Sequence, residues 1–251
     1  MESQLPKRLG KEPLVQVSFE LRLVAHLPLS SILPGVLYSK LNCGDIRKTP
    51  HAEIPEVIRN NDPVFSFLPL VTLDWQGYQI HIGDRVIIIS CNMPYEGWSS
   101  FKKRILELVD ELILAPTSNM IDRVERFSLK YTDLIEAPFN SNFSELVNVS
   151  VNMGGHDFNL SSTQIRAEKK EGDSLVIMQM SGHAQVVFPD SNERNGLLID
   201  IDCIKNKNRI SFSSFCESFE QELNELHLLN KRVFFNFLSE KGLKNLEPTY
   251  E

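Results

Sequence analysis

The sequence has few cysteines and lacks a long apolar run. Its four cysteines, at positions 43, 91, 203 and 216, lie far apart without a Cys-x-x-Cys pair, which argues against a zinc knuckle and paired disulfides. Residues 1–10 are polar and contain no signal-peptide core, and no later run reaches the length needed to cross a bilayer. We therefore expect a cytoplasmic protein that does not associate with a membrane.

The motifs of common enzyme scaffolds are also missing. The chain contains no Gly-x-Ser-x-Gly elbow, no glycine-rich loop ending in Gly-Lys-Ser/Thr, no strand-linked Gly-x-Gly-x-x-Gly and no His-Glu-x-x-His helix. These absences argue against the familiar nucleotide-binding and hydrolase classes.

Basic residues are too few and too scattered to form a polyanion-binding tract. The chain has 26 Lys and Arg against 33 Asp and Glu, which gives a formal net charge of −7. An acidic balance disfavours attraction to nucleic acid or to anionic lipid. A protein partner is the better expectation, and a homo-oligomer stays open.

The sequence does contain apolar material for a core, because 42% of its 251 residues are hydrophobic. Residues 14–23 alternate apolar with polar side chains, which predicts a half-buried strand. Turn residues separate segments 70–74, 78–82 and 86–91, a pattern typical of an antiparallel meander. Apolar residues at helical spacing then predict a helix over residues 98–114.

The second half of the chain repeats this order of elements. The predicted elements are a strand over 124–135, a helical segment over 140–149, a meander over 160–168, 174–188 and 197–204, and a helix over 213–240 that Gly242 ends. Two short matches support a duplication. They are Phe19-Glu20-Leu21-Arg22-Leu23 with Phe127-Ser128-Leu129-Lys130-Tyr131, and Trp98-Ser99-Ser100-Phe101 with Phe212-Ser213-Ser214-Phe215.

The predicted fold class is therefore α+β, built from two diverged repeats. Each repeat is a strand, a helix, a three-stranded antiparallel meander and a long helix, with the repeats at residues 1–120 and 121–251 packed as one compact unit. We expect the two sheets to join into one curved sheet with helices on one face.

The chain resembles a sporadically distributed family of uncharacterised prokaryotic proteins of about 250 residues. The matching segments are Pro13-Leu14-Val15, Phe19 to Arg22, Tyr95 to Trp98 with Phe101, Arg126 to Asp133, Asp200 to Asp202, and the helix around His227, Val233 and Phe234. The family's usual Arg-Tyr-x-Asn is Lys130-Tyr131-Thr132-Asp133 here, which weakens any role for an arginine or asparagine there. The resemblance implies no established activity, and it suggests a defence-type locus with a neighbouring partner protein.

Asp200 and Asp202 are the sharpest catalytic candidates in the sequence. Residues at i and i+2 of a strand point to one face, so the two carboxylates could present oxygen ligands to magnesium or manganese. His183, on the preceding strand, could complete such a site, as could His156 in the turn predicted after Gly154-Gly155. The simpler alternative, which we favour, is that both acids form ion pairs with basic residues on neighbouring strands, such as Arg126 and Lys130.

The binding candidates outside this pair lie on the middle strand and at the start of the first long helix. They are Arg126, Lys130, Tyr131, Asp133 and Trp98. Trp98 and Tyr131 could form an aromatic platform, although packing is the favoured interpretation for Trp98. His227, among apolar residues of the last helix, is expected to be structural.

Two functions from different classes follow from these patterns. The first is a non-enzymatic interaction or regulatory protein, such as the partner protein of a toxin-antitoxin or phage-defence locus, with no cofactor. The alternative is a metal-dependent hydrolase or nuclease centred on Asp200 and Asp202, with a divalent metal.

Overall fold

Strands and helices alternate along the chain in the computed structural model. The structure describes residues 5–91, 93–114, 118–138, 141–188 and 192–250, without the side chains of residues 118, 208 and 209. The α-helices are α1 (Leu33–Lys40), α2 (Glu56–Asn61), α3 (Trp98–Leu114), α4 (Phe212–Phe237) and α5 (Glu240–Asn245). The 3₁₀ turns are Leu29–Ser31, Pro50–Glu53, Ser118–Met120, Phe143–Glu145 and Leu160–Ser162.

Most of the strands belong to one large antiparallel sheet. The strands are β1 (Arg8–Leu9), β2 (Leu14–Ala25), β3 (Ile46–Lys48), β4 (Val71–Trp75), β5 (Tyr78–Ile82), β6 (Val86–Cys91), β7 (Ile121–Glu136), β8 (Val151–Met153), β9 (His156–Phe158), β10 (Gln164–Glu171), β11 (Ser174–Val187), β12 (Glu193–Ser211) and β13 (Pro248–Thr249). The order in the large sheet is β10-β11-β12-β7-β2-β6-β5-β4-β3, and β1 pairs with β13 and β8 with β9. The predicted α+β class is confirmed.

Several predicted elements are confirmed closely. The first strand, the meander of β4, β5 and β6 and the helix α3 lie where the hydrophobic patterns place them. On α3 the buried side chains are Phe101, Ile105, Leu108, Val109 and Leu112, the predicted apolar stripe. Among the helices that the structure describes, none is both long and apolar enough to cross a membrane.

Two predictions in the second half of the chain are wrong. The helix predicted over residues 140–149 is only the 3₁₀ turn Phe143–Glu145, and residue 140 lies outside the described residues. The long helix ends at Phe237, and Gly242 lies inside α5 instead of capping α4. Ser239 caps α5, because its hydroxyl accepts a hydrogen bond from the Gly242 backbone N–H at 3.0 Å.

The described chain divides into two units, each assembled from distant segments. The first unit consists of Met1–Val17, Lys130–Cys203 and Glu225–Glu251. The second unit consists of Ser18–Leu129 and Ile204–Asn224. The repeats proposed at residues 1–120 and 121–251, and their common origin, stay predictions.

Aromatic side chains form the core of the second unit. Phe19 on β2 lies 5.5 Å from Phe219 on α4, measured between ring centroids, and Phe127 on β7 lies 5.4 Å from Phe215. All four rings are almost fully buried. Aromatic pairs at such distances add about 0.5–1.5 kcal/mol each beyond the area that they bury. They therefore fasten the start of α4 to β2 and β7.

A buried ion pair attaches the long connection before β4 to the sheet of the second unit. Arg59 on α2 donates from Nε to Oδ2 of Asp84 at 2.8 Å, and the side chains are only 12% and 8% exposed. Ser30 donates to the other carboxylate oxygen of Asp84 at 2.5 Å. Both oxygens of this buried carboxylate are thus satisfied, as burial of a charge requires.

The first unit has β10 at the edge of the large sheet. Its side chains are mostly exposed, and Arg166 pairs with Glu168 and Lys169 with Glu171 along the same strand. β10 runs antiparallel to β11, with Ile165 opposite Met180 and Arg166 opposite Gln179. This register places polar and apolar side chains from both strands next to each other.

Gly242 on α5 lies close to the backbone of Leu146, and substitution of this glycine tests that contact. An added Cβ would overlap the carbonyl oxygen of Leu146. We expect Gly242→Ala to lower the free energy of unfolding by about 1–3 kcal/mol, as overpacking generally does. Chemical denaturation monitored by circular dichroism measures this change.

Gly35→Ala is the matched control, because an added Cβ at this helical glycine meets no described atom within 4 Å. It should be neutral or stabilise the protein by about 0.4–1 kcal/mol. Equal effects of the two substitutions would contradict the close approach at Leu146.

Candidate functional site

β12 presents its acidic residues on the face opposite the buried core. Leu197, Ile199, Ile201 and Cys203 are fully buried, whereas Asp200 and Asp202 are half-buried at the alternating positions. On α4, Asn230 donates from its side chain to the Ile201 carbonyl oxygen at 2.8 Å and so links this helix to the strand. The predicted placement of the two carboxylates on one strand face is confirmed by this alternation.

Asp200 is held by two neighbours on β7 through one of its oxygens. Lys130 places Nζ 2.8 Å from Oδ2, and the Thr132 hydroxyl donates to the same oxygen at 3.1 Å. The other oxygen, Oδ1, is buried and has no hydrogen-bond partner among the described residues. These two contacts fix the position of the Asp200 carboxylate, while Oδ1 lacks a hydrogen-bond donor among the residues described.

A groove of about 480 Å³ lies beside Asp200 in the first unit. Its lining comes from β10, β11 and β12. The polar lining residues are Gln164, Arg166, Gln179, Ser181 and Asp200, and the apolar ones are Ile165, Met180 and Leu198. A concave surface with a few polar groups on an apolar base is typical of a binding site.

Asp133 adds a buried carboxyl group near Asp200. Its side chain is almost fully buried, and burial, with the negative charges of Glu12 and Asp200, raises the pKa of Asp133 well above its usual value. Burial also raises the pKa of Glu12. Burial and these two negative charges together favour a protonated Asp133.

Tyr131 and His227 form a separate pair between β7 and α4. The Tyr131 hydroxyl and His227 Nδ1 lie 3.2 Å apart and share a hydrogen bond. Burial, and to a lesser extent the positive charge of Lys231, lowers the pKa of His227 to about 4. The imidazole is therefore neutral at physiological pH and acts as a structural hydrogen-bonding group.

The cysteines are free thiols of low reactivity. Burial raises the pKa of Cys203 to about 12 and the pKa of Cys216 to about 11. Burial also raises the pKa of Cys43 and Cys91. Because the thiolate is the nucleophile, these residues are unsuited to covalent catalysis at neutral pH.

The other predicted site residues do not belong to the lining of this groove. Arg126 and Trp98 belong to the second unit, where Arg126 donates to Glu20 at 2.7 Å and Trp98 begins α3. The proposed pairing of the aspartates with basic residues thus holds for Lys130 with Asp200, whereas Arg126 uses Glu20. The His183 ring packs edge-on against Phe143, with centroids 5.3 Å apart.

A metal site built on Asp200, Asp202 and either His183 or His156 gains no support from the side chains. In the parts of the chain that the structure describes, no group of three His, Cys, Asp or Glu side chains could hold a metal ion. Sequence reasoning also missed Thr132 and the glutamines of the groove. The alternation along β7 could have indicated Thr132, which lies two residues after Lys130.

No protein-family model and no curated protein matches this chain. The resemblance to a sporadically distributed prokaryotic family therefore stays a prediction.

Asp133→Asn tests the buried carboxyl group. A raised folded-state pKa means that wild-type stability is fully present below the unfolded value near pH 4 and is lost as the pH rises through the folded pKa. The amide cannot ionise, so the variant should melt a few degrees above wild type at pH 8, and its advantage should shrink towards pH 4.5. Thermal melts across this range measure the difference.

Asp122→Asn, at an exposed carboxylate on the same strand, is the control for Asp133 and should show no such trend. A constant difference between Asp133→Asn and wild type at every pH would contradict an unusual protonation state.

His227→Asn tests the lowered pKa on α4. Wild-type stability should fall as the pH drops from about 6.5 to about 4, because only the unfolded state binds the proton there. A shift of this size corresponds to about 3 kcal/mol. The stability of the His227→Asn variant should lack this dependence on pH. Urea denaturation at several pH values measures the free energy of unfolding of both proteins. His51→Asn, at an exposed histidine, is the control. Equal slopes for wild type and His227→Asn would refute the prediction.

Proposed function

We propose that this chain is a non-enzymatic interaction protein that binds a protein partner through the groove beside Asp200. The observation that carries the proposal is the Asp200 carboxylate, which is positioned by Lys130 and Thr132 while Oδ1 has no partner among the residues described. The Asp200 side chain is 14% exposed and lines the groove, where its negative charge would attract a cationic donor of a bound partner.

The chemistry of the partner follows from the lining of the groove. Gln164 and Gln179 offer amide donors and acceptors, and Met180 with Leu198 offers an apolar base. Arg166 at the groove is paired with Glu168, so the Asp200 carboxylate, in a chain of net charge −7, suits a segment that brings lysine or arginine side chains. We therefore propose an extended basic segment of another protein as the occupant.

Binding is favoured over catalysis by the state of the reactive groups. The Asp200 carboxylate is already engaged by Lys130, the buried thiols are protonated, and His227 is hydrogen-bonded to Tyr131. A nucleophile paired with a base is the usual basis of hydrolysis. None of these described groups forms such a pair, and among the residues described no third His, Cys, Asp or Glu side chain joins Asp200 and Asp202 in a metal-binding group.

The biological setting of the partner comes from the resemblance alone. It suggests a protein encoded beside this one in a toxin-antitoxin or phage-defence locus. The groove adds a physical criterion for that partner, namely an extended basic segment.

Site-specific photo-crosslinking in the native host tests the groove. A photoreactive phenylalanine at the exposed position Gln179 should give one discrete protein adduct, because this side chain lines the groove. The same probe at Lys244, which is exposed on α5 of the same unit, is the control and should give none. Immunoblotting and mass spectrometry measure the adduct.

Adding Asp200→Asn to the Gln179 probe separates specific from chance contact. The amide keeps the shape but removes the charge, so the yield of the adduct should fall about tenfold if a charge-assisted hydrogen bond of roughly 1.5–3 kcal/mol is lost. Equal adduct yields from the Gln179 probe with and without Asp200→Asn would refute the proposed function. The absence of an adduct from both of these proteins would refute it as well.

A further inference from the structure

A second polar cluster lies on β2 and β7 of the second unit, far along the chain from Asp200. Glu20 and Arg22 lie two residues apart on β2 and therefore share a face. Glu20 Oε1 accepts from Arg22 Nε at 2.7 Å and from Arg126 Nη2 at 2.7 Å. One carboxylate thus serves two guanidinium groups.

The two arginines have more donors than this carboxylate can accept. Each guanidinium carries five N–H donors, whereas Glu20 offers two oxygens. Arg22 uses both oxygens, with a second contact of 3.4 Å to Oε2, and Arg126 shares only Oε1. Within the part of the chain described by the structure, the buried Arg126 Nε has no acceptor. This Nε is covered, so a ligand would contact the exposed part of the Arg126 guanidinium, whose side chain is 23% exposed.

The surroundings make this cluster locally positive in an acidic protein. The Arg22 guanidinium carbon lies 4.1 Å from the centroid of the Phe67 ring, and that of Arg85 lies 5.3 Å from the same ring. Arg85 pairs with Glu125 at 2.7 Å. Three arginines against two glutamates leave one excess positive charge, while the whole chain carries −7.

The arginines can be reached from solvent. Phe19, Leu21 and Leu23 fill the buried face of β2, so Glu20 and Arg22 project from the opposite face. The side chains of Arg22 and Arg126 remain 25% and 23% exposed. Phe67 supports Arg22 from one side and restricts its orientation, which prepares the guanidinium for a ligand.

From this arrangement we infer that Arg22 and Arg126 form an oxyanion-binding site, with Glu20 as the residue that positions both. The ligand class is a phosphate or carboxylate group, since planar guanidinium groups bind such oxygens through paired hydrogen bonds. The site is independent of the groove beside Asp200, so either could fail without the other.

Arginine side-chain NMR of the full-length protein tests this inference. The Nε–Hε signals are followed while inorganic phosphate is added at constant ionic strength, with sodium chloride as the reference titration. The signals of Arg22 and Arg126 should shift and saturate with phosphate, and chloride should leave them unchanged. A parallel titration with acetate identifies the source of the oxyanion: saturation with acetate alone indicates a carboxylate ligand.

Variants decide whether the arginine pair is the site. Arg126→Gln should weaken the saturable binding at least tenfold, and Arg126→Lys, which keeps the charge but loses the fork geometry, should weaken it several-fold. Arg123→Gln, at an exposed arginine paired with Asp122 on the same strand, should bind as wild type does. Thermal melts confirm that each variant is folded.

Three results would overturn the inference. They are shifts that saturate with neither phosphate nor acetate, saturation at resonances other than those of the two arginines, and unchanged affinity in Arg126→Gln and Arg126→Lys. If Arg126→Gln does not fold, Arg126→Lys and the wild-type arginine signals still decide the outcome.

Discussion

The packing of Phe19 and Phe127 against Phe215 and Phe219 is the constraint on which much of the second unit depends. Successive side chains of a strand point to opposite faces, so burying an aromatic ring determines where its neighbours project. With Phe19 in the core, Glu20 lies on the other face, and Phe127 places Arg126 there in the same way. The position of the arginine cluster is thus a consequence of hydrophobic burial.

The same rule positions the groove residues in the first unit, where a different apolar series sets the orientation. Ile199 and Ile201 occupy the core of β12, which leaves Asp200 on the face that Lys130 and Thr132 reach from β7. Lys130 thus holds Asp200 by an ion pair on the strand face that also carries Thr132. A shift of β12 by one residue would therefore turn Asp200 to the other face of the strand. The groove would then lose the Asp200 carboxylate and its contacts with Lys130 and Thr132.

Local patterns allowed prediction of elements but not of their assembly. The stripe on α3 and the alternation on β2 and β12 are properties of short windows, and the structure confirms them. The contact between Arg126 and Glu20 spans 106 residues and depends on β7 lying next to β2, an order that no local pattern encodes. Gly242 shows the same limit, because its role comes from contact with Leu146 and not from its own helix.

The charged edge strand β10 has a consequence for the behaviour of this protein at high concentration. Four of its five charges pair along its own length, Arg166 with Glu168 and Lys169 with Glu171, and Lys170 adds one positive charge. A second copy approaching this edge would have to strip water from ions that already have partners, and it would gain little in return. The strand thereby resists aggregation into cross-β fibres while its backbone stays at the border of the sheet.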